Sequence, residues 1–567
     1  MFPEVRVKFP IYICYNCYRF LEFLLEKYEV EYSNSNFWIE LFSASVGIYY
    51  HFSGGRQKTS KEYFLANKNM PVIPVAFSLM ASFMSAITIL GLAAENYMNG
   101  TQFVIINIAY IFGTPIAAFV FLPVFYQMQA TSAFEYLEKR FNKQTRLLAS
   151  SIFIFQMVVY MSIVLYAPAL TLSAVTGLSK WTSILSIGVV CTFYCTIGGM
   201  KAVLWTDLFQ GLMMYSAVFA VIAKGTIDVG GFSEVWRLAH EGQRIQFFNF
   251  DPDPTVRHTV WTLAVASLAG IVVYANLAKC DPILRSEETN IEKADQILPY
   301  FVMISLTMLP GLPGLFVAGV FSASLSSVSS AINSLAAVTV EDFLHPVWFH
   351  RISERRVTIF TKLIAFSYGI LCIMLTLVVD RLGGVLQAAL SLINVVGGPM
   401  LGLFSLGMFF KRTNSKGSII GFLVSLCICF WIGIAAAMRS HKLPINHRSI
   451  DGCPANGSVI ASELSTPNYA NGTIYESMTN STNFNLDTDD ENGYVFPLLR
   501  LSYMWYAGFG YITCIVVGFC SSLICGERSY VNPILLSPIV HFKSSRKYPI
   551  SEEFKLPVTN GSCLTTE

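Results

Sequence analysis

The chain has 567 residues, of which 54% are hydrophobic and 13% charged, about half the charge of a soluble protein, so an ordinary soluble domain is excluded in favour of a polytopic membrane protein. A net charge of +2 says nothing about nucleic acid, and no basic domain or nucleic-acid motif appears, so a nucleic-acid partner is not expected. The cysteines are scattered: Cys14 and Cys17 have a two-residue spacing, but no second pair follows to make a zinc cluster.

Residues 1–36 form an atypical start. Ile11–Leu25 is apolar but short, is broken by Arg19 and Glu22, and lacks the basic lead and small-residue cleavage site of a signal peptide. Residues 37–70 hold a short first span, Phe37–Phe52, and a basic loop with Arg56, Lys58, Lys61 and Lys68. Clear spans follow at 72–95, 103–127, 147–172, 182–197 and 204–223. Lys139, Arg140, Lys143 and Arg146 separate the second and third of these, whereas Asn96–Gln102 has no Lys or Arg. The positive-inside rule therefore puts the 53–69 and 138–146 loops in the cytoplasm, as well as the link at Gly198–Lys201, and Thr226–His258 outside.

Further spans are predicted at 259–278, 313–340, 361–379, 385–410, 417–437 and 501–525. Residues 438–498 form a polar outside loop with sequons at Asn456, Asn471 and Asn480, expected to be glycosylated. The tail, 526–567, carries Lys543, Arg546 and Lys547 and is expected in the cytoplasm, which leaves the sequon at Asn560 unused. Cys280 and Cys453 fall in hydrophilic loops and pair if both face an oxidising side. One parity problem remains. If Thr259–Ala278 crosses inward, the next span puts Arg351, Arg355 and Arg356 outside, against the rule. Either Pro299–Leu309 re-enters the membrane, or Thr259–Ala278 does not span, or a piece of chain is absent here.

Two uncharged spans carry polar faces. In Gly311–Val340, Ser322, Ser326, Ser329 and Asn333 share one helical stripe, with Ser324, Ser327, Ser330 and Ser334 beside it. In 72–95, Ser82, Ser85 and Thr88 recur every three residues, and Gly91 with β-branched Ile87, Thr88 and Ile89 favours a break in mid-membrane. Small hydroxyl residues allow close helix packing. Hydroxyls and freed carbonyls also coordinate a cation, while a half-helix N-terminus attracts an anion. Both readings fit either span alone; two such spans far apart in sequence suggest a composite site between two structural repeats.

Several motifs in order resemble the sodium:solute symporter family, in particular its iodide, monocarboxylate and multivitamin branch. They are the stretches 311–319, 322–342 and 81–86, supported by 54–66, 194–210 and 397–402. The resemblance spans about residues 46–437 and the last span. It implies an all-α, LeuT-type inverted-repeat transporter core with about 11–13 transmembrane helices and alternating access. It further implies a sodium site from the carbonyls of Ala81, Met84 and Ala323 and the hydroxyls of Ser326 and Ser327, since a hard cation takes oxygen ligands. By the same resemblance substrate lies beside Phe83, Ser85 and Thr88, with Gln387 and Ser391 from a later helix. Iodide carriers look to have glutamine where Thr88 stands, so Thr88 leans toward a small organic anion such as a monocarboxylate, biotin or pantothenate.

The expected function is sodium-coupled symport at the plasma membrane. Its expected partners are sodium, the organic anion and the lipid bilayer, with no cofactor beyond the coupling ion. The core, 71–437, departs from the family near 262–270, where the start of one helix is fused to the end of the next. That fusion suggests a missing internal segment and leaves a second reading, a non-transporting isoform or partner subunit. An enzyme is not expected: no span carries a His/Asp/Glu cluster, and Asp207 is a lone carboxylate near a helix end.

Overall fold

The computed structural model describes residues 41–50, 60–66, 70–101, 106–128, 132–176, 179–245, 267–289, 291, 293–307, 309, 311–346, 353–379, 385–438, 448–450, 453, 502–525 and 531–542. The 1–36 segment and the three sequon asparagines lie outside the described residues. Everything described is helix or connection, as a bilayer requires when each backbone group must be satisfied within its own segment.

The chain opens with α1 (Leu41–Tyr50) and α2 (Ser60–Leu65), then the broken pair α3 (Val72–Phe83) and α4 (Ala86–Asn99). A rod, α5, runs from Ile106–Ile116 through a π-turn at Ala117–Phe121 into Leu122–Met128. After α6 (Glu135–Arg140) come the long α7 (Lys143–Thr176) and α8 (Lys180–Val229). Shorter helices follow: α9 (Phe232–Glu241), α10 (Ser267–Leu277) and α11 (Ile297–Ser305). The set closes with α12 (Leu312–Val338), α13 (Glu354–Val379), α14 (Val385–Phe409), α15 (Ser415–Met438) and α16 (Tyr506–Ile524).

At 50 residues, α8 would measure about 75 Å if straight, more than twice the ~30 Å hydrocarbon core. It reverses instead at Gly199 (φ 60°). Tyr194 donates to the Leu325 carbonyl at 3.1 Å, and Asp207, thirteen residues further on, sits against Ser326 of the same turn. Only a hairpin brings both there. A side chain at Gly199 would meet the Tyr63 ring at 2.8 Å, so the positive φ and the close approach both call for glycine. The two predicted spans, 182–197 and 204–223, are the arms of this hairpin.

Among the described residues, eight helices are long and apolar enough to cross a membrane, and the α3–α4 pair makes nine. The α8 reversal adds a tenth crossing, with the apolar α1 beside them. The central element is α12, whose most apolar window is 89% buried against 33% for α13 and α15. One hydrophobic cluster joins α4, α7, α8, α12 and α13. A second joins α5, α6 and α14 to α16. Tight approaches rest on small residues: a side chain at Gly319 would lie 2.5 Å from the Ala217 Cβ.

The two ends of the bundle carry different chemistry. At one, buried Arg140 donates to the carbonyls of Gly407 and Phe410. There too Arg146 bonds Asp342 at 3.0 Å through Nε, and Ser150 donates to the same carboxylate. This gathers the basic 138–146, 339–346 and 410–414 connections. At the other, Thr101 N–H donates to the Arg244 carbonyl at 2.7 Å, Tyr97 Oη donates to Asp281 at 3.0 Å, and Cys280 is disulfide-bonded to Cys453.

These contacts correct the parity expectation. Residues 97–101, 244, 281 and 453 share one end, so no net crossing occurs between 245 and 280. Of the predicted 259–278 span, the structure describes α10, eleven residues that rise only about 16 Å. The next crossing, α12, then returns the chain to the basic end, where Arg356 belongs.

Candidate functional site

The site begins at the break in the first long apolar stretch. Helix α3 ends because Met84 leaves helical geometry (φ −86°, ψ 82°), and Ser85 then caps α4, its hydroxyl accepting the Thr88 N–H at 3.3 Å. The two halves meet at 50°. A helix that stops leaves its last carbonyls without ladder partners. Here this happens in the interior, beside Ala81, which is 1% exposed.

The serine ladder of α12 faces this break. Ser327 Oγ donates to the Ser82 carbonyl at 3.2 Å, and the Ser82 and Ser330 hydroxyls are 2.9 Å apart. Ala323, Ser326 and Ser327 are all buried. The structure thus sets the end of α3, which carries Ala81 and Met84, against the turns of α12 that carry Ala323, Ser326 and Ser327, the five residues expected around sodium. Ser329 and Ser334 donate back to the carbonyls of Ser326 and Ser330, the packing role available to any serine in a membrane helix. Ser330 does more than pack, because it touches the opposite half-helix.

Sequence reasoning passed over Asp207. The returning arm of α8 carries this carboxylate, fully buried, into the gap between α3 and α12. Ser78 donates to its Oδ2 at 2.5 Å, and the Ser326 and Ser330 hydroxyls lie close enough to act on its charge. No Lys, Arg or His among the described residues pairs with it. Its Oδ1 and Ser326 Oγ have no hydrogen-bond partner. A buried carboxylate without a counter-ion is costly in hydrocarbon. Unused, hard oxygen donors around it are what a small cation requires. The donor set therefore fits sodium. The available signal was one acidic residue inside an otherwise apolar span, which is itself a functional-site flag.

The substrate candidates divide. Ser85 is buried, Thr88 is half-buried, and the Tyr160 hydroxyl of α7 lies close enough to Ser85 to act on it. Leu386 packs on Gly91, one turn beyond Thr88, which places the start of α14 along the same helix; a side chain at Gly91 would lie 2.5 Å from the Leu386 Cβ. Ser391 is half-buried and Gln387 exposed. Phe83 does not join them. It is 77% exposed and continues an outward stripe with Val72, Val75 and Leu79. The Cys280–Cys453 pair forms as anticipated.

The Sodium:solute symporter family matches residues 63–265 and 253–425, two stretches that overlap at 253–265. The sodium-dependent multivitamin transporter of Oryctolagus cuniculus is 40% identical over 565 residues, covering 92% of this chain and 86% of its own. Sodium-coupled monocarboxylate transporter 1 of Homo sapiens is 38% identical over 538 residues, with 86% of each chain covered. Since 86% of 567 residues is about 488, about 50 aligned positions of that relative face no residue here. Among solved structures, a Na+-coupled sialic acid symporter in a substrate-bound, outward-open state superposes with a TM-score of 0.65 at 21% identity. It covers 88% of this chain and 98% of its own, and so shares the fold.

Proposed function

Because the chain belongs to the sodium:solute symporter family, we propose that it is a sodium-coupled symporter of a small organic anion, a monocarboxylate or a vitamin such as biotin or pantothenate. The observation that carries the reading is Asp207, an unpaired carboxylate buried among Ser78, Ser326 and Ser330 at the break of α3. Sodium would be held there by the hydroxyls of Ser326 and Ser327 and the carbonyls of Ala81, Met84 and Ala323, with Asp207 balancing its charge. Sodium bound at this point ties α3 to α12 and α8. The α4 N-terminus, capped by Ser85, then presents N–H groups and a positive helix end to a carboxylate substrate near Thr88 and Tyr160. Bound sodium and ordered half-helices thus favour substrate binding, which is the coupling a symporter needs.

At about −60 mV one inward charge releases about 1.4 kcal/mol. A roughly tenfold sodium gradient adds about 1.4 kcal/mol per ion. The test is uptake of labelled lactate, nicotinate and biotin in expressing cells, in sodium and in choline. Uptake of one of them that rises at least tenfold with sodium supports the reading; no sodium dependence with any of them overturns it.

The sidedness follows the charges: the basic end faces the cytoplasm with the tail, and the Cys280–Cys453 end faces outside at the plasma membrane. Glycosylation at Asn456, Asn471 and Asn480 belongs to that outer loop, and a shift in mobility on glycosidase treatment checks it.

The core is also shorter than its relatives' near 262–270. The overlapping family matches and the unmatched positions support an absent segment worth two crossings. Losing an even number of crossings leaves all downstream topology unchanged. Inserting the corresponding segment of the rabbit relative should raise uptake at least tenfold by enclosing the substrate residues. Equal uptake with and without the insert would show that the short core is complete.

A further inference from the structure

At the outer end of α4, the sodium-site reading leaves a buried charge cluster unused. Arg244 is 0% exposed, a cost that must be met by its contacts. Its Nε donates to the Tyr97 carbonyl at 2.7 Å, and its guanidinium lies 4.3 Å over the Tyr274 ring of α10. Its own carbonyl accepts Thr101 N–H just past α4, where Gly100 (φ +87°) lets the chains touch. Asp281, 2% exposed, takes the Tyr97 hydroxyl on one oxygen and the N–H groups of Ile283 and Leu284 on the other.

The second side of Asp281 faces a distant part of the chain. Its N–H donates to the Ser449 carbonyl at 3.0 Å, Arg448 stands 3.9 Å from its carboxylate, and the neighbouring Cys280 is bonded to Cys453. Arg448, Ser449 and Cys453, beyond α15, are thus fastened covalently and by charge at the residue that holds Tyr97. Tyr97 sits nine residues beyond Thr88, about 14 Å along the same rigid half-helix.

We propose that residues 448–450 and Cys453 are an outer strap which, through Asp281 and Arg244 acting as positioning residues, sets the pose of the α4 half-helix and so the apparent affinity of the sodium site at its inner start. The step from strap to sodium affinity rests on the symporter reading; the fastening of α4 does not. Opening the strap frees Asp281 to move and releases the outer end of α4 while the rest of the bundle stays packed.

The test is backbone hydrogen–deuterium exchange on the full chain in nanodiscs, before and after a phosphine reductant. The reductant cleaves Cys280–Cys453 to two thiols and is itself oxidised, taking oxygen from water; thiol labelling confirms cleavage. Amides of 96–101 should exchange at least tenfold faster after reduction, with those of α15 unchanged. Asp281→Asn, with the disulfide intact, should loosen the same amides at least fivefold. Unchanged exchange at 96–101 in the reduced protein overturns the strap. So does acceleration spread equally over α15, which is general destabilisation rather than positioning. Sodium should slow exchange at 96–101, and its half-saturating concentration should rise at least threefold on reduction. Loosening that occurs with no response to sodium in either state overturns the link to affinity and counts against the sodium site, while the fastening stands.

Discussion

The two faces of the α3–α4 break differ in how completely the chain supplies them. On the α12 side, Ala81, Ala323, Ser326 and Asp207 are each no more than 1% exposed, and three helices from distant parts of the sequence meet there. On the substrate side, Ser85 is enclosed by Tyr160, but Phe83 and Gln387 stand open. A cation needs a few rigid oxygens, which neighbouring helix turns provide. A substrate needs a concave wall from several elements, and under the proposed shortening of the core the stretch around 262–270 is where such a wall would be continued. The coupling-ion face is therefore the better determined of the two, and mutations there should have the larger effects.

The largest is expected at Asp207. Asp207→Asn removes the only charge in the gap and should lower sodium-dependent uptake at least a hundredfold with normal surface expression. Uptake within threefold of the parent would move the ion site elsewhere. Next, Ser326→Ala with Ser327→Ala should raise the half-saturating sodium concentration about tenfold, equivalent to about 1.4 kcal/mol. Unchanged sodium affinity would refute the ligand assignment.

Across the break, Thr88→Val deletes one hydroxyl at nearly constant volume. It should raise the substrate half-saturation about fivefold, in line with about 1 kcal/mol per hydrogen bond, and leave the sodium dependence in place. The smallest effect belongs to Phe83→Ala, which should change uptake less than twofold because its ring faces outward. A loss above tenfold would return Phe83 to the substrate site and erase the contrast between the faces.

Much of the molecule was legible in the sequence because the signals are local. Apolar runs of bilayer length, basic loops and serines at helical spacing each follow from neighbouring residues, and the symporter motifs added five residues expected around sodium; the break read from Ile87–Gly91 lies instead at Met84–Ser85, because Ala86–Asn99 is continuous helix. The hidden parts depended on what meets across distance. Asp207 read as an isolated carboxylate until the reversal at Gly199 laid its helix against α12. Phe83 was expected beside substrate through the family resemblance, yet the side chains at 81 and 83 leave a helix in different directions. The crossing at 259–278 failed on the sequence count, and only the Tyr97–Asp281 and Cys280–Cys453 contacts showed which end it returns to.

What the sequence alone determined is that the first long apolar stretch carries a break signal and that α12 must bring hydroxyls into hydrocarbon. Both are properties of one helix and its spacing. What the tertiary structure decided is that those two features face each other with a carboxylate between them. A helix fixes which residues share its face but not which helix that face will meet. That choice is made by close packing at residues such as Gly199 and Gly319, whose partners lie far away in the chain.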